Sequence, residues 1–214
     1  MNQLLNYNKI LVLSPHTDDA ELGAGGTIAR FLDEGKEIHY IVFSMCEDAV
    51  PEGLPKDTLK KECLSSMKIL GILPERMHLL NYRVRTFPEH RQQILDNLIE
   101  FKNHNIPDLV LVPSSNDIHQ DHGVIYWEAL RAFKKDSSIW GYEHPWNNLT
   151  FTTDIFVSLK AEHVETKVKA LKEYKSQSNR GYMEEKNLRS LITTRGAQLD
   201  LPHAEAFELI RLIY

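Results

Sequence analysis

Residues 14–21 read SPHTDDAE and lie between two segments of different character. The apolar run ILVL at residues 10–13 precedes them and predicts a buried strand. The segment from Ala20 to Glu34 follows them and has the apolar spacing of a helix. One histidine and three carboxylates therefore lie at a turn from strand to helix, which is where ligands bind in open α/β sheets.

So much negative charge at one turn requires a compensating group. A helix N-terminus stabilises each nearby anion by only about 0.3–1 kcal/mol, which is too little for three adjacent carboxylates. A divalent metal would suffice, and histidine with aspartate is an ordinary ligand pair for zinc. Simpler interpretations exist for single residues: Asp18 or Asp19 would cap the helix, and His16 would lie in a surface loop.

A second cluster, DIHQDH at residues 117–122, has the same setting. It follows the apolar run LVLV at residues 109–112 and precedes another helical segment. Two clusters of histidine and aspartate at the same kind of strand end can converge in space. We therefore predict one metal site that both clusters share.

Composition narrows the class of protein. The chain has 214 residues, a net charge of −5 and two cysteines, Cys46 and Cys63, too few for a zinc ribbon or a disulfide framework. The acidic balance and the absence of a basic run argue against a nucleic-acid partner. No apolar segment approaches the ~20 residues of a membrane-spanning helix, and Met1–Asn8 lacks the features of a secretion signal. We expect a cytoplasmic protein with a single domain over residues 1–214.

Apolar periodicity predicts alternating strands and helices along the whole chain. A strand, a helix and a second strand within ~35 residues form a βαβ unit, which implies a parallel sheet. The predicted strands are Lys9–Ser14, Glu37–Ser44, Met77–Leu80, Asp108–Val112, Ile139–Tyr142, Phe151–Leu159 and Phe207–Tyr214. The predicted helices are Ala20–Glu34, Asp57–Leu70, Glu89–Asn103, Gly123–Lys135, Ala161–Lys175 and Met183–Thr193. The fold class is therefore α/β.

The glycines of GAGG at residues 23–26 invite comparison with a dinucleotide-binding turn. In such a turn the glycines follow the strand directly, whereas here that position carries Asp18 and Asp19, which would repel phosphate. We interpret these glycines instead as positions where the helix packs closely against the sheet or the site.

Three loops are candidates for substrate contacts. They are the polar loop from Cys46 to Lys56, the loop with Arg83 and Arg85, and the aromatic loop at residues 143–148. The two arginines would suit an anionic portion of a substrate, although surface arginines without a function are more common.

Two motifs resemble the signatures of the PIG-L (LmbE-like) N-deacetylase family. PHTDDAE at residues 15–21 is similar to His-Pro-Asp-Asp-x-Glu, and DIHQDH is similar to Asp-x-His-x-Asp-His. Arg195-Gly196 and AEAF at residues 204–207 resemble the family's C-terminal pattern. Two positions depart from it: Thr17 replaces the usual proline, and His203 stands where many members carry a tyrosine.

The resemblance implies a Rossmann-like, mostly parallel sheet with helices on both faces, one catalytic zinc ion and hydrolysis of the N-acetyl group of an amino sugar. By position, His16, Asp19 and His122 would bind zinc. Asp18 would be the general base, His119 would stabilise the charged transition state, and Asp121 would orient a histidine. We further expect substrate contacts from His203, Arg195 and His144. The resemblance also suggests a homo-oligomer.

The chemistry of these residues agrees with the resemblance. Three protein ligands leave zinc a position for water, as in catalytic sites, and a neighbouring carboxylate can remove the proton of that water. An imidazolium at His119 would suit the oxyanion of the tetrahedral intermediate. Two alternatives stay open: a catalytically silent protein that binds a metal or a sugar, and a metal-dependent hydrolase of another amide or ester. A binding protein would not need Asp18 as a free base.

Overall fold

One seven-stranded sheet, with helices on both faces, makes up the framework of the protein. The computed structural model describes residues 7–214, so the segment Met1–Asn8 lies outside it except for its last two residues. The strands are β1 (Lys9–Ser14), β2 (Glu37–Val42), β3 (Met77–Leu79), β4 (Leu109–Pro113), β5 (Ser138–Tyr142), β6 (Ile155–Ser158) and β7 (Ala204–Arg211). The helices are α1 (Asp19–Asp33), α2 (Thr58–Leu70), α3 (Arg91–His104), α4 (Gln120–Phe133), α5 (Ala161–Leu171) and α6 (Glu185–Ala197). Within the described range, no helix has the length and apolar character needed to cross a bilayer.

The strand order places the carboxyl ends of β1 and β4 side by side. The order is β3-β2-β1-β4-β5-β7-β6, and β1 pairs in parallel with both β2 and β4. From β1 the chain first builds outward through β2 and β3, and β4 then begins the other half of the sheet. Ligands bind in α/β sheets at such a reversal of strand order. The predicted, mostly parallel sheet is confirmed, and β7 and β6 extend it through two antiparallel pairings, β5 with β7 and β7 with β6.

Alternation along β1 divides the core between the two faces of the sheet. Ile10 and Val12 pack with the apolar sides of α1, α2, α5 and α6. Leu11 and Leu13 point to the other face and pack with α3 and α4. Both sets are fully buried, as expected for a parallel strand covered on both sides.

The structure corrects several element boundaries. Helix α4 begins at Gln120 rather than Gly123, so Asp121 and His122 lie in its first turn. Strand β7 begins three residues earlier than predicted, because residues 204–206 pair with β6. The predicted helix Ala161–Lys175 ends at Leu171, and short 3₁₀ turns follow it. Apolar periodicity locates an element, but capping contacts and strand pairing fix its ends.

A buried ion pair lies against two of the three glycines of α1, Gly25 and Gly26. A Cβ atom at Gly25 would lie 2.9 Å from the Lys167 side chain, and one at Gly26 would lie 3.1 Å from the Glu205 carboxylate. Lys167 Nζ lies 2.6 Å from Glu205 Oε1 and donates to the Leu22 carbonyl, while the Gly26 N–H donates to the same carboxylate. In a regular α-helix the Gly26 N–H would donate to the Leu22 carbonyl. The ion pair forms hydrogen bonds with both of these backbone groups. These glycines are packing positions, as predicted.

We expect Lys167→Met to destabilise the protein by about 3–5 kcal/mol, because it leaves the buried Glu205 carboxylate without its cation. Urea unfolding followed by circular dichroism measures this change. Lys172→Met is the matched control, since Lys172 forms its ion pair near the C-terminal end of the same helix with a 62% exposed side chain. The control should change stability by less than about 1 kcal/mol. Equal effects of the two substitutions would contradict the role assigned to the buried pair.

Candidate metal centre

The two sequence clusters meet where β1 and β4 end. His16 lies in the loop after β1, Asp19 is the first residue of α1, and His122 lies in the first turn of α4. All three side chains are almost completely buried. The topology therefore brings together residues that are more than 100 positions apart in the chain.

Three ligand atoms form a nearly equilateral triangle. Asp19 Oδ2 lies 2.9 Å from His16 Nδ1 and 3.1 Å from His122 Nε2. The two ring nitrogens, His16 Nδ1 and His122 Nε2, lie 3.2 Å apart. Ligands at zinc–nitrogen and zinc–oxygen bond lengths around a tetrahedral ion are separated by about 3.3 Å. The triangle therefore has the size that a zinc ion requires.

Two further carboxylates determine which nitrogen of each ring carries a proton. Asp121 Oδ2 lies 3.0 Å from His16 Nε2, and Asp117 Oδ2 lies 2.7 Å from His122 Nδ1. A carboxylate only accepts hydrogen bonds, so each imidazole donates outward, and in its neutral form it turns a lone pair toward the triangle. With both rings neutral, three electron-rich atoms converge on one point, and either protons or a metal cation would relieve their repulsion.

The pKa values of His16 and His122 are both raised, which shows that the site favours positive charge. Burial lowers the pKa of His16, but the Asp19 charge and the hydrogen bonds to Asp121 and Asp19 outweigh it and raise the pKa to about 10. For His122, burial is likewise outweighed by Asp19 and Asp117, which raise the pKa to about 9. Protons occupy the histidines when no metal ion provides the charge.

His119 belongs to a second possible group of ligands, with His16 and His122. However, its Nδ1 accepts the Asp121 backbone N–H at 3.2 Å and caps α4, so a neutral His119 carries its proton on Nε2. Burial, followed by repulsion from His122 and His16, lowers the pKa of His119 to about 4. These surroundings favour a neutral His119 over the expected imidazolium, and the residue lines the cleft.

His144 lies beneath the site and has no exposed surface. It forms a third possible group with Asp19 and His122, but its nitrogens already contact Asp117 Oδ2 at 3.2 Å and the Asp19 carbonyl oxygen at 2.9 Å. In this arrangement His144 supports the metal ligands and has no atom directed at a substrate. This differs from the expected substrate contact.

Arg195 and His203 also lie away from the cleft. Arg195 donates to Glu143 from Nε at 3.0 Å and from Nη2 at 2.5 Å, in a bidentate ion pair. His203 precedes β7 in a turn packed against Gly196, and the next-but-one residue, Glu205, binds the middle of α1. That part of α1 is seven residues, or roughly 10 Å, beyond Asp19. The C-terminal pattern thus has a structural role in the described fold.

Asp18 is the free carboxylate beside the triangle. It occupies the N-cap position of α1, but its side chain makes no capping hydrogen bond. The Ser14 hydroxyl accepts the Ala20 N–H instead, at 3.1 Å. Burial and the neighbouring Asp19 charge raise the pKa of Asp18 to about 6. Its carboxylate is therefore available for chemistry in the cleft.

Glu21 does not belong to the site, although it stands in the first motif. Its carboxylate accepts hydrogen bonds from the hydroxyl groups of Tyr40, Ser66 and Tyr174 in the core. Tyr174 also contacts the carbonyl of Thr17. This contact holds the loop at the position where Thr17 replaces the usual proline. Only two of the three acids at the turn face the cleft.

A cleft of about 280 Å³ opens above the triangle. One wall contains a stack of Trp146 on Tyr182, with ring centroids 4.3 Å apart and planes 17° from parallel. Cys46 and Ala49 of the predicted substrate loop contribute another part of the wall. Sequence reasoning assigned no role to Asp117, although it stands in the second motif and contacts His122. It also missed three residues of the cleft wall that follow α5, where no local pattern marks them: Gln177, Arg180 and Tyr182.

The motifs and the fold agree with comparisons to known proteins. The Uncharacterized deacetylase YaiS of Escherichia coli K12 is 29% identical over 171 residues, which cover 78% of this chain and 90% of that protein. The N,N'-diacetylchitobiose deacetylase of Pyrococcus horikoshii, solved with the inhibitor MPG, superposes with a TM-score of 0.80 at 23% identity and covers 96% of this chain and 84% of that one. GalB of Pseudomonas putida, a 4-carboxy-2-hydroxymuconate hydratase, has a TM-score of 0.78 at 18% identity over 97% of this chain and 98% of its own.

The structures compared at these identities show a shared fold. The match to a sequence family is more specific, because it covers residues 11–133, more than half of the chain. That range contains both motifs and all three corners of the triangle. The chain belongs to the PIG-L family, described as GlcNAc-PI de-N-acetylase.

Proposed function

We propose that this protein hydrolyses the N-acetyl group, or a related N-acyl group, of an amino sugar or its conjugate with one zinc ion. His16, Asp19 and His122 would hold the ion. The observation that carries the proposal is the convergence of their three lone-pair atoms within 3.2 Å at the floor of a cleft. When bound, zinc would act as a Lewis acid toward the attacking water and the amide oxygen.

Asp18 is the proposed general base. It lines the cleft beside Asp19, and its side chain is not used in capping α1. A pKa of about 6 leaves the carboxylate mostly ionised at neutral pH yet able to accept a proton. Asp18 would take a proton from water as the oxygen attacks the amide carbon. It would then return this proton to the nitrogen as the C–N bond breaks, which yields a carboxylic acid and an amine, or a carboxylate and an ammonium ion once the acid's proton has passed to the amine.

His119 is the proposed donor to the developing oxyanion. Since its Nδ1 accepts the Asp121 N–H, the proton on Nε2 is available to the carbonyl oxygen of a substrate. A neutral imidazole can donate this hydrogen bond without giving up a proton. Loss of one such donor typically reduces the rate about 10²–10³-fold.

Asp117 and Asp121 are positioning residues in this proposal. Each accepts a hydrogen bond from a ligand histidine and from a backbone N–H: Asp121 from Arg85, and Asp117 from His119. These contacts hold the lone pairs of His16 and His122 on the zinc position. Partners of this kind typically change metal affinity by about 10–100-fold.

The names of related proteins support an amide of an amino sugar as the substrate. The family description and the chitobiose enzyme both refer to N-acetylated sugars. The hydratase with the same fold shows that the fold alone does not decide the reaction. A silent binding protein is the second candidate, but it would not need the uncapped Asp18 carboxylate. A cytoplasmic location is supported by the two free thiols, and homo-oligomerisation stays a prediction.

His122→Ala should lose zinc as severely as His16→Ala, because either change leaves two of the three ligands. Metal analysis after dialysis against a weak chelator measures the loss. His104→Ala, an exposed histidine at the end of α3, is the control and should keep the full zinc content. Unchanged zinc in His122→Ala would show that the two clusters do not share an ion.

Asp18→Asn and Asp19→Asn should fail in different ways. Asp18→Asn should keep zinc and lose about 10²–10⁴-fold in kcat, because an amide cannot act as a base. Asp19→Asn should weaken zinc binding, since a neutral amide oxygen is a poor ligand, and excess zinc should restore part of its activity. Acetate release with and without added zinc distinguishes them. Rescue of the Asp18 variant alone would mean that the two roles are exchanged.

Zinc binding should release about one to two protons per ion at pH 7.5. The raised pKa values of His16 and His122, about 10 and 9, mean that both rings are protonated in the metal-free protein below those values. Zinc must displace these protons, so its affinity should fall as pH decreases. Calorimetry in buffers of different ionisation enthalpy measures the release. A binding enthalpy that does not depend on the buffer would contradict this account.

A further inference from the structure

Two arginines without a carboxylate partner line the cleft, Arg85 and Arg180. Seven of the ten arginines in the sequence form ion pairs. Within residues 7–214 the exceptions are Arg85, Arg180 and Arg211, so two of the three lie in the cleft. Among the residues that the structure describes, the Arg180 side chain forms one hydrogen bond, and it is a long one, from Nε to Gln177 Oε1 at 3.3 Å.

Arg83 provides the contrast within the same loop. Only two residues before Arg85, it binds Asp48 at 2.7 Å through its Nε. Its positive charge is therefore neutralised locally, whereas the charges of Arg85 and Arg180 remain available to a molecule in the cleft.

The backbone of Arg85 is fixed by the metal centre itself. Its N–H donates to Asp121 Oδ2 at 2.6 Å, and its carbonyl accepts from the Gln120 side chain at 2.6 Å. The same oxygen of Asp121 contacts His16 Nε2. Arg85 also has a φ of +69°, a left-handed conformation that a residue with a side chain rarely adopts. These hydrogen bonds fix the backbone of Arg85 relative to the proposed zinc ligands, at the edge of the metal centre.

The surroundings of these arginines indicate what they would bind. Most carboxylates of the metal centre are already engaged, since Asp19 contacts both ligand histidines and Asp117 and Asp121 each accept from one of them. No carboxylate within the described residues pairs with the guanidinium group of Arg85 or Arg180, so a neutral sugar in the cleft would leave both groups without an anionic partner. Carboxylate and phosphate groups match the planar guanidinium and can accept two hydrogen bonds from it.

We infer that the substrate carries an anionic group, a carboxylate or a phosphate, and that Arg85 and Arg180 bind this group while the N-acyl group lies at the metal centre. The inference rests on the proposed deacetylase function and specifies its substrate class. Arg85 and Arg180 then select among N-acetylated sugars, and they take no part in cleaving the amide.

Matched substrates test the inference. The zinc-loaded protein is given the methyl glycoside of N-acetylglucosamine, the corresponding carboxymethyl glycoside, N-acetylglucosamine 1-phosphate and N-acetylglucosamine 6-phosphate. Acetate release gives kcat/KM for each. At least one anionic substrate should exceed the methyl glycoside by about 10-fold or more, and the difference should shrink as the salt concentration rises. Comparison of the carboxymethyl glycoside with the two phosphates shows which kind of anion the protein prefers.

Charge-removing variants assign the effect to residues. Arg85→Gln and Arg180→Gln should each reduce the ratio of anionic to neutral kcat/KM by about 10- to 100-fold, the effect of a lost hydrogen bond to a charged group. Arg85→Lys should restore part of this ratio, because it keeps the charge. Arg83→Gln is the control and should leave the ratio unchanged, since Arg83 is paired with Asp48.

Equal turnover of neutral and anionic substrates, or an unchanged ratio in both glutamine variants, would overturn the inference while the deacetylase function stands. If no substrate releases acetate, the proposed function fails. Calorimetric binding of glucosamine 6-phosphate and glucosamine then decides the remaining question. If glucosamine 6-phosphate binds more tightly than glucosamine, and Arg85→Gln abolishes this difference, the anion site is supported independently of catalysis. Equal binding of the two sugars would exclude the site.

Discussion

Two buried carboxylates control the chemistry at the centre of this protein. Asp117 and Asp121 each hold a proton on the outward nitrogen of one imidazole, so the inward nitrogens of His122 and His16 face Asp19 and carry lone pairs when the rings are neutral. Without these outer contacts the rings could exchange tautomers, and the three atoms would not form a coherent ligand set. The arrangement creates a local excess of electron density that only a proton or a metal cation can balance. The affinity for a cation is thus built into the hydrogen bonds behind the ligands.

The precision of this arrangement depends on where α1 and α4 begin. Asp19 is the first residue of α1, and His119 caps α4 with its own ring, so a shift of either helix would move a ligand or a donor. The ion pair of Lys167 and Glu205 fixes the middle of α1 against α5 and β7. Beneath its first turn, the hydroxyl of Tyr174 binds both Glu21 and the Thr17 carbonyl. Side chains far from the metal position therefore hold α1, and with it Asp19, in place.

The cleft separates two tasks between its floor and its walls. The floor consists of residues from the two motifs, which lie at strand ends and helix N-termini. The walls come from loops and 3₁₀ turns, including Trp146, Tyr182 and the two unpaired arginines. Rigid elements favour exact placement of reacting groups, whereas loops can change without disturbing the sheet. Such a division lets one reaction serve different substrates.

The sequence by itself determined the α/β class, the order of the elements and the positions of both clusters. These features are local, because apolar periodicity defines each strand or helix, and His16 and Asp19 are separated by one turn of chain. Even the role of the glycines in α1 could be inferred from their distance to the preceding strand. The tertiary structure alone decided that Glu21 turns into the core, that structural partners bind the side chains of His144 and Arg195, and that Arg180 reaches the cleft. It also lowers the pKa of His119 and so favours the neutral ring, through burial and through the two histidines beside it. The direction of a side chain and its protonation depend on contacts between segments far apart in the chain, and no local pattern encodes them.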